Sequence, residues 1–193
     1  MSDGILFPVP TIATTLPQVV TVSLVRAKEG VTLYQIPEDE WRQEEFLPVA
    51  WEPTVAKELS LIRAIPREAG DAVSYPRMHL RTLSGLWGVR LDQIQQSLQL
   101  PEKSWRRLAF EERPGVVANS FAVPFGHTLL YGQQKNGVTE TLCIRRNYFP
   151  SVNPVDTDLL SRLAGVTNCC LVNWCRALVL LPSSDDFKEH FKL

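Results

Sequence analysis

Arg77 to Pro114 reads RMHLRTLSGLWGVRLDQIQQSLQLPEKSWRRLAFEERP. Its apolar residues fall at helical spacing and are interrupted by turn residues, which predicts three short helices. The first covers Leu80–Leu86 and the second Leu91–Leu98. Gln99-Leu100-Pro101 forms a turn, and the third helix covers Glu102–Phe110. Pro101 suits a helix start, where its missing N–H would have been unpaired. Leu83, Leu86, Leu91, Ile94, Leu98, Leu100, Trp105 and Leu108 are expected to face inward. Each large side chain so buried contributes about 1.5–3 kcal/mol.

This layout is that of a helix-turn-helix, in which one short helix braces a second that can lie in a major groove. The segment resembles the helix-turn-helix of the Cro/C1 (XRE-type) phage-repressor family. The chain departs from that family's pattern with Gln95 in place of an alanine, Gln99 in place of the turn glycine and Trp105 in place of a small core residue. The resemblance implies a DNA-binding regulator in which Lys103, Ser104, Arg106 and Arg107 meet phosphates and base edges of duplex DNA. It also implies a dimer, with its basic patches repeated about 34 Å apart. From Arg77 to Pro114 there are seven Lys/Arg against four Asp/Glu. The whole chain carries a formal net charge of -1, so any DNA contact must come from a local patch rather than bulk attraction.

Outward from this segment, the N-terminal part (1–66) predicts a proline-rich arm and a β-hairpin of Val19–Val25 with Val31–Ile36. A helix carrying Trp41 follows, with Glu38-Asp39-Glu40 at its start and Glu44-Glu45 on a solvated acidic face. A further helix is expected over Glu52–Ile65. The helical segment occupies 67–115. The C-terminal part (116–193) predicts strands at Val116–Val123, His127–Tyr131 and Val138–Tyr148, the last two joined by Asn136-Gly137, a strong hairpin signal. A helix at Asp156–Ala164 with Gly165 as its C-cap, buried strands over Cys169–Leu181 and a terminal helix over Ser184–Phe191 complete the chain. The expected fold class is α+β, antiparallel hairpins with an embedded helix-turn-helix.

At 193 residues and 45% hydrophobic, the chain can bury a sizeable core. Its N-terminus lacks the basic region of a signal peptide, and its longest apolar run is too short to span a bilayer, so a cytoplasmic protein without membrane contact is expected. Cys143, Cys169, Cys170 and Cys175 are expected to be free thiols. Their spacing does not match a zinc site, and neither a metal nor a cofactor is expected. Of the three histidines, His79, His127 and His190, His127 could pair with Cys143 across one hairpin as base and nucleophile, while alone it reads as a structural or surface residue. No G-x-S-x-G, P-loop, G-x-G-x-x-G or HExxH is present, and no catalytic residue is assigned. Asp156, Asp158, Asp185 and Asp186 read as helix caps. The second functional reading is a non-catalytic protein-interaction subunit or adaptor. It draws on the proline-rich arm, the hairpin edges, the near-neutral charge and Trp51 as an aromatic anchor or linker staple.

Overall fold

The structure, a computed structural model, describes residues 23–63 except Lys28, Glu38 and Asp39, and residues 88–146 except Glu102, Lys103, Glu112, Gly126 and His127. It further describes 157–182 except Cys175, together with Ser184 and Phe187. The described part is predominantly β, with ten strands and three α-helices.

The centre is a six-stranded antiparallel sheet in the order β10-β9-β3-β8-β7-β6. Its strands are β3 (Glu44–Pro48), β6 (Ser120–Phe125), β7 (Thr128–Lys135), β8 (Val138–Arg145), β9 (Cys169–Asn173) and β10 (Leu178–Leu180). The β7–β8 hairpin forms as the sequence predicts. Asn136 and Gly137 both take positive φ (54° and 79°), which matches the strand twist, and the Gln134 side chain accepts from Gly137 N–H at 2.6 Å. At Gly132, within β7, a methyl group would fall on the backbone of Thr141, so only glycine lets these two strands approach.

Alternation along the strands sorts side chains onto two faces. On one face, Phe46, Phe121, Leu130, Leu142 and Leu171 pack under α2 (Leu91–Ser97) and α3 (Thr157–Thr167). On the other, Leu47, Cys170, Val172 and Trp174 pack under α1 (Glu52–Arg63), with Trp51 half-buried as a staple against this cluster. The rest of that second face is enclosed by further strands. β4 (Arg107–Phe110) lies parallel to β2 (Leu33–Ile36), and β1 (Leu24–Val25) pairs antiparallel with β5 (Val116–Val117). A bridge between Arg106 and Ala122, with both N–H···O distances at 2.8 Å, joins β4 to β6. The sheet therefore curls over Ile36, Leu108, Phe110, Leu129, Tyr131 and Cys143. Pro124 sits in β6 beyond this bridge, where its missing N–H costs no ladder bond.

These strands overturn the α+β fold with an embedded helix-turn-helix. The predicted second helix is present as α2, but the predicted recognition helix is not. Arg106 is in a β-bridge and Arg107–Phe110 is a strand. The three departures from the repressor pattern supply the physical reason. Gln95 donates to Leu100 O (3.4 Å) and Pro101 O (3.2 Å), strapping the chain as it leaves α2. Gln99 takes φ 52° and ends the helix. Trp105 packs edge-on against Phe121, with ring centroids 5.2 Å apart. Leu108, Ala109 and Phe110 are consecutive and all buried, which a strand enclosed on both faces accommodates and a surface helix does not. The predicted first helix, Leu80–Leu86, lies outside the described residues, as do the N-terminal arm and most of Ser184–Phe191.

Three further expectations change. The N-terminal strands do not form a hairpin, because β1 pairs with β5 and β2 with β4. The helix expected around Trp41 is replaced by a turn at Trp41-Arg42 and strand β3, with Glu44 and Glu45 buried rather than on a solvated face. Gly165 lies inside α3, and Asn168, at φ 51°, follows the end of that helix.

Candidate functional site

The structure places the residues assigned to DNA contact at the start of β4 rather than on a helix. Lys103 lies outside the described residues. Ser104 is half-buried, with a hydroxyl that meets no hydrogen-bond partner. Arg106 is exposed and donates to Trp105 O at 3.2 Å. Arg107 is half-buried and donates through Nη2 to Val117 O (3.0 Å) and through Nε to Ser120 Oγ (3.4 Å). Ser120 Oγ in turn accepts from Leu108 N–H at 3.0 Å. The hydroxyl thus fastens β4 to β6 and orients the Arg107 head in one step.

Arg106 and Arg107 line an open groove of about 480 Å³ together with Thr32, Trp105, Ser120 and Gln134. The groove forms where the chain entering β2, the first residues of β4 and β6 and the last residues of β7 converge. Its wall is mixed: two guanidiniums, an indole, two hydroxyls and an amide, with the apolar side chains of Val31, Leu91 and Phe121. Arg107 spends two of the five donors of its planar fork on neutral oxygens. An arrangement of this kind can offer charge-assisted hydrogen bonds to an anionic group.

A second polar cluster, missed from the sequence, lies at the opposite end of the sheet. Arg42, at φ 60°, donates through Nε to Glu45 Oε2 at 2.9 Å, and Trp174 Nε1 donates to Glu45 Oε1 at 3.2 Å. Burial works most strongly against the Arg42 charge, but the charge and hydrogen bond of Glu45, together with Cys143 and Tyr131, outweigh it and hold the guanidinium more firmly protonated than usual. Tyr131 Oη donates to Glu40 O (2.9 Å) and accepts from Arg42 N–H (3.2 Å). Burial raises the phenol well above its ordinary value. Glu44 takes a forked contact from Arg146 at 2.7–3.1 Å and a further bond from Asn173 Nδ2 at 2.5 Å. The only sequence signal for this cluster was the acidic pair Glu44-Glu45 directly before Phe46-Leu47-Pro48.

Cys143, Cys169 and Cys170 are free and buried. Burial pushes the Cys169 thiol up to about 12 and the Cys170 thiol up to about 11, so both stay protonated near neutrality and are poor nucleophiles. His79, His127 and His190 lie outside the described residues. Among the described residues no group of three metal-ligating side chains comes together, and no helix is long and apolar enough to cross a membrane.

No family model, curated protein or solved structure matches the chain. The functional reading therefore rests on the groove and its chemistry.

Proposed function

We propose that this chain is a non-catalytic binding subunit that holds an acidic segment of a partner protein in the groove beside Arg106 and Arg107. The observation that carries this reading is the pairing of two adjacent guanidiniums with polar and aromatic walls in one concave site of about 480 Å³. Concavity favours a polypeptide over duplex DNA. Reading a major groove requires an element that projects into it, whereas a groove of this size takes in a few side chains of a protruding segment.

The test is fluorescence anisotropy of a labelled hexaglutamate, a hexalysine and a random-sequence duplex, each titrated with the intact protein at low and moderate salt. Hexaglutamate is expected to bind, to weaken with salt and to lose its binding to the Arg106→Ala/Arg107→Ala protein. Absence of hexaglutamate binding overturns the reading. Duplex binding with a steep salt slope that the same double substitution abolishes would replace it with a nucleic-acid function.

A further inference from the structure

The groove beside Arg107 presents donors whose own acceptors are already engaged. Ser120 is 6% exposed. Its Oγ accepts from Leu108 N–H at 3.0 Å and from Arg107 Nε at 3.4 Å. A hydroxyl has two lone pairs and one proton, so both acceptor positions are filled and the O–H is left to donate. Among the described residues it meets no acceptor. Gln134 is held in a similar way. Its Oε1 accepts from Gly137 N–H at 2.6 Å, which fixes the amide and leaves the Nε2 donors for another partner. Arg107, a donor throughout, engages Ser120 Oγ through Nε and Val117 O through Nη2, and Nη1 remains.

These three side chains come from three strands, β4, β6 and β7, and line one groove. Ser120 pairs with Gln133 in the β6–β7 register, and Gln134 N–H donates to Asn119 O at 3.1 Å. The Thr32 hydroxyl lies on the same wall. No Asp or Glu stands among the described residues that line it.

We infer that this donor set binds the phosphate of a phosphorylated serine or threonine in the partner segment; this rests on the acidic-segment reading above and names the group that the site prefers. A wall of donors matches a ligand group that only accepts. A carboxylate meets that condition with two oxygens in one plane, and Arg107 with the Ser120 hydroxyl is enough to engage both. A phosphate ester brings three terminal oxygens in a tetrahedral array and is nearly doubly charged near neutral pH. Arg107, Ser120 and Gln134 can then each take one oxygen. The Gln134 amide is the donor that a carboxylate leaves over.

The experiment uses the full chain and three labelled pentapeptides, Gly-Ala-X-Ala-Gly, in which X is phosphoserine, glutamate or serine. The phosphoserine peptide is expected to bind about tenfold more tightly than the glutamate peptide, the scale of one further charge-assisted hydrogen bond. The serine peptide is expected not to bind. Gln134→Met, which removes the amide donors at similar size, is expected to cost the phosphoserine peptide more than the glutamate peptide and so to erase most of the preference. Inorganic phosphate is expected to compete more weakly than unlabelled phosphoserine peptide. Equal affinity for the phosphoserine and glutamate peptides in the wild-type protein overturns the inference, and this outcome does not depend on any variant folding. A preference that Gln134→Met leaves intact also overturns it, because charge alone then accounts for the difference. Competition by inorganic phosphate as strong as that by the peptide overturns the phosphopeptide in favour of a free phosphate. Absence of binding by both charged peptides overturns the acidic-segment reading, and this inference with it.

Discussion

Arg106-Arg107 and Arg145-Arg146 are the same dipeptide in two settings. At the far end of β8, Arg146 grips the buried Glu44 through a fork, and Arg145 contacts Glu40 and lies 3.9 Å from Glu111. At the start of β4, Arg107 meets a main-chain carbonyl and a serine hydroxyl. A guanidinium matched to a buried carboxylate has its charge cancelled locally and serves the fold. One oriented by neutral oxygens keeps its field and can serve a ligand. Arg145-Arg146 thus does structural work, and the proposed function places binding at the Arg106-Arg107 end.

The largest effect is expected at Glu45. This carboxylate is 1% exposed and holds both Arg42 and Trp174. Glu45→Ala leaves a buried guanidinium without its partner, and urea unfolding is expected to show a loss of about 3 kcal/mol. A loss within experimental scatter would remove the structural half of the contrast. Arg146→Ala follows, with an expected loss of about 2 kcal/mol, because Glu44 then stays buried with Asn173 in place of a full charge.

Alkaline pH separates these ion pairs from the thiols. Arginines stay charged through this range, whereas Cys169 and Cys170 have folded values of about 12 and about 11 against an ordinary 9.0. Below the ordinary value both folded and unfolded states hold the proton and the stabilisation is complete. Above it the unfolded thiols ionise first, so stability is expected to fall as pH rises from about 9 toward the folded values. Cys169→Ala/Cys170→Ala is expected to flatten that slope, read by urea midpoints across the range. An unchanged slope would move the cause to another buried group such as Tyr131.

The smallest effect on stability is expected at the groove. Arg107→Ala removes hydrogen bonds to neutral acceptors and is expected to cost about 1 kcal/mol, with Arg106→Ala costing less. The same pair is expected to dominate acidic-peptide binding. If the Arg106→Ala/Arg107→Ala protein were less stable than Arg146→Ala, the two dipeptides would not divide the work as described.

Elements defined by local rules are legible in the sequence. Asn136-Gly137 announces the β7–β8 hairpin, and the apolar spacing of Glu52–Ile65 announces α1. Two misreadings share one source. Both Glu44–Pro48 and Arg107–Phe110 are short strands of four or five residues whose polar and apolar positions fit a helix equally well at that length. Their true partners lie far along the chain: β3 pairs with β8 and β9, and β4 pairs with β2. Charge alone marks Arg106-Arg107 as a candidate binding element, while its setting in a groove comes from strands brought together by the curl of the sheet.

Turns, helices with a clear apolar stripe, buried free thiols and a local basic pair are written into the chain itself, because each follows from contacts within a few residues or from composition. Which short segments became strands, which carboxylates were buried and which arginines met a carboxylate were settled by the folded arrangement. Those outcomes depend on pairing across more than 100 positions, as for Glu45 with Trp174. A short segment's own propensity is worth less than the burial and hydrogen bonding that a distant partner supplies.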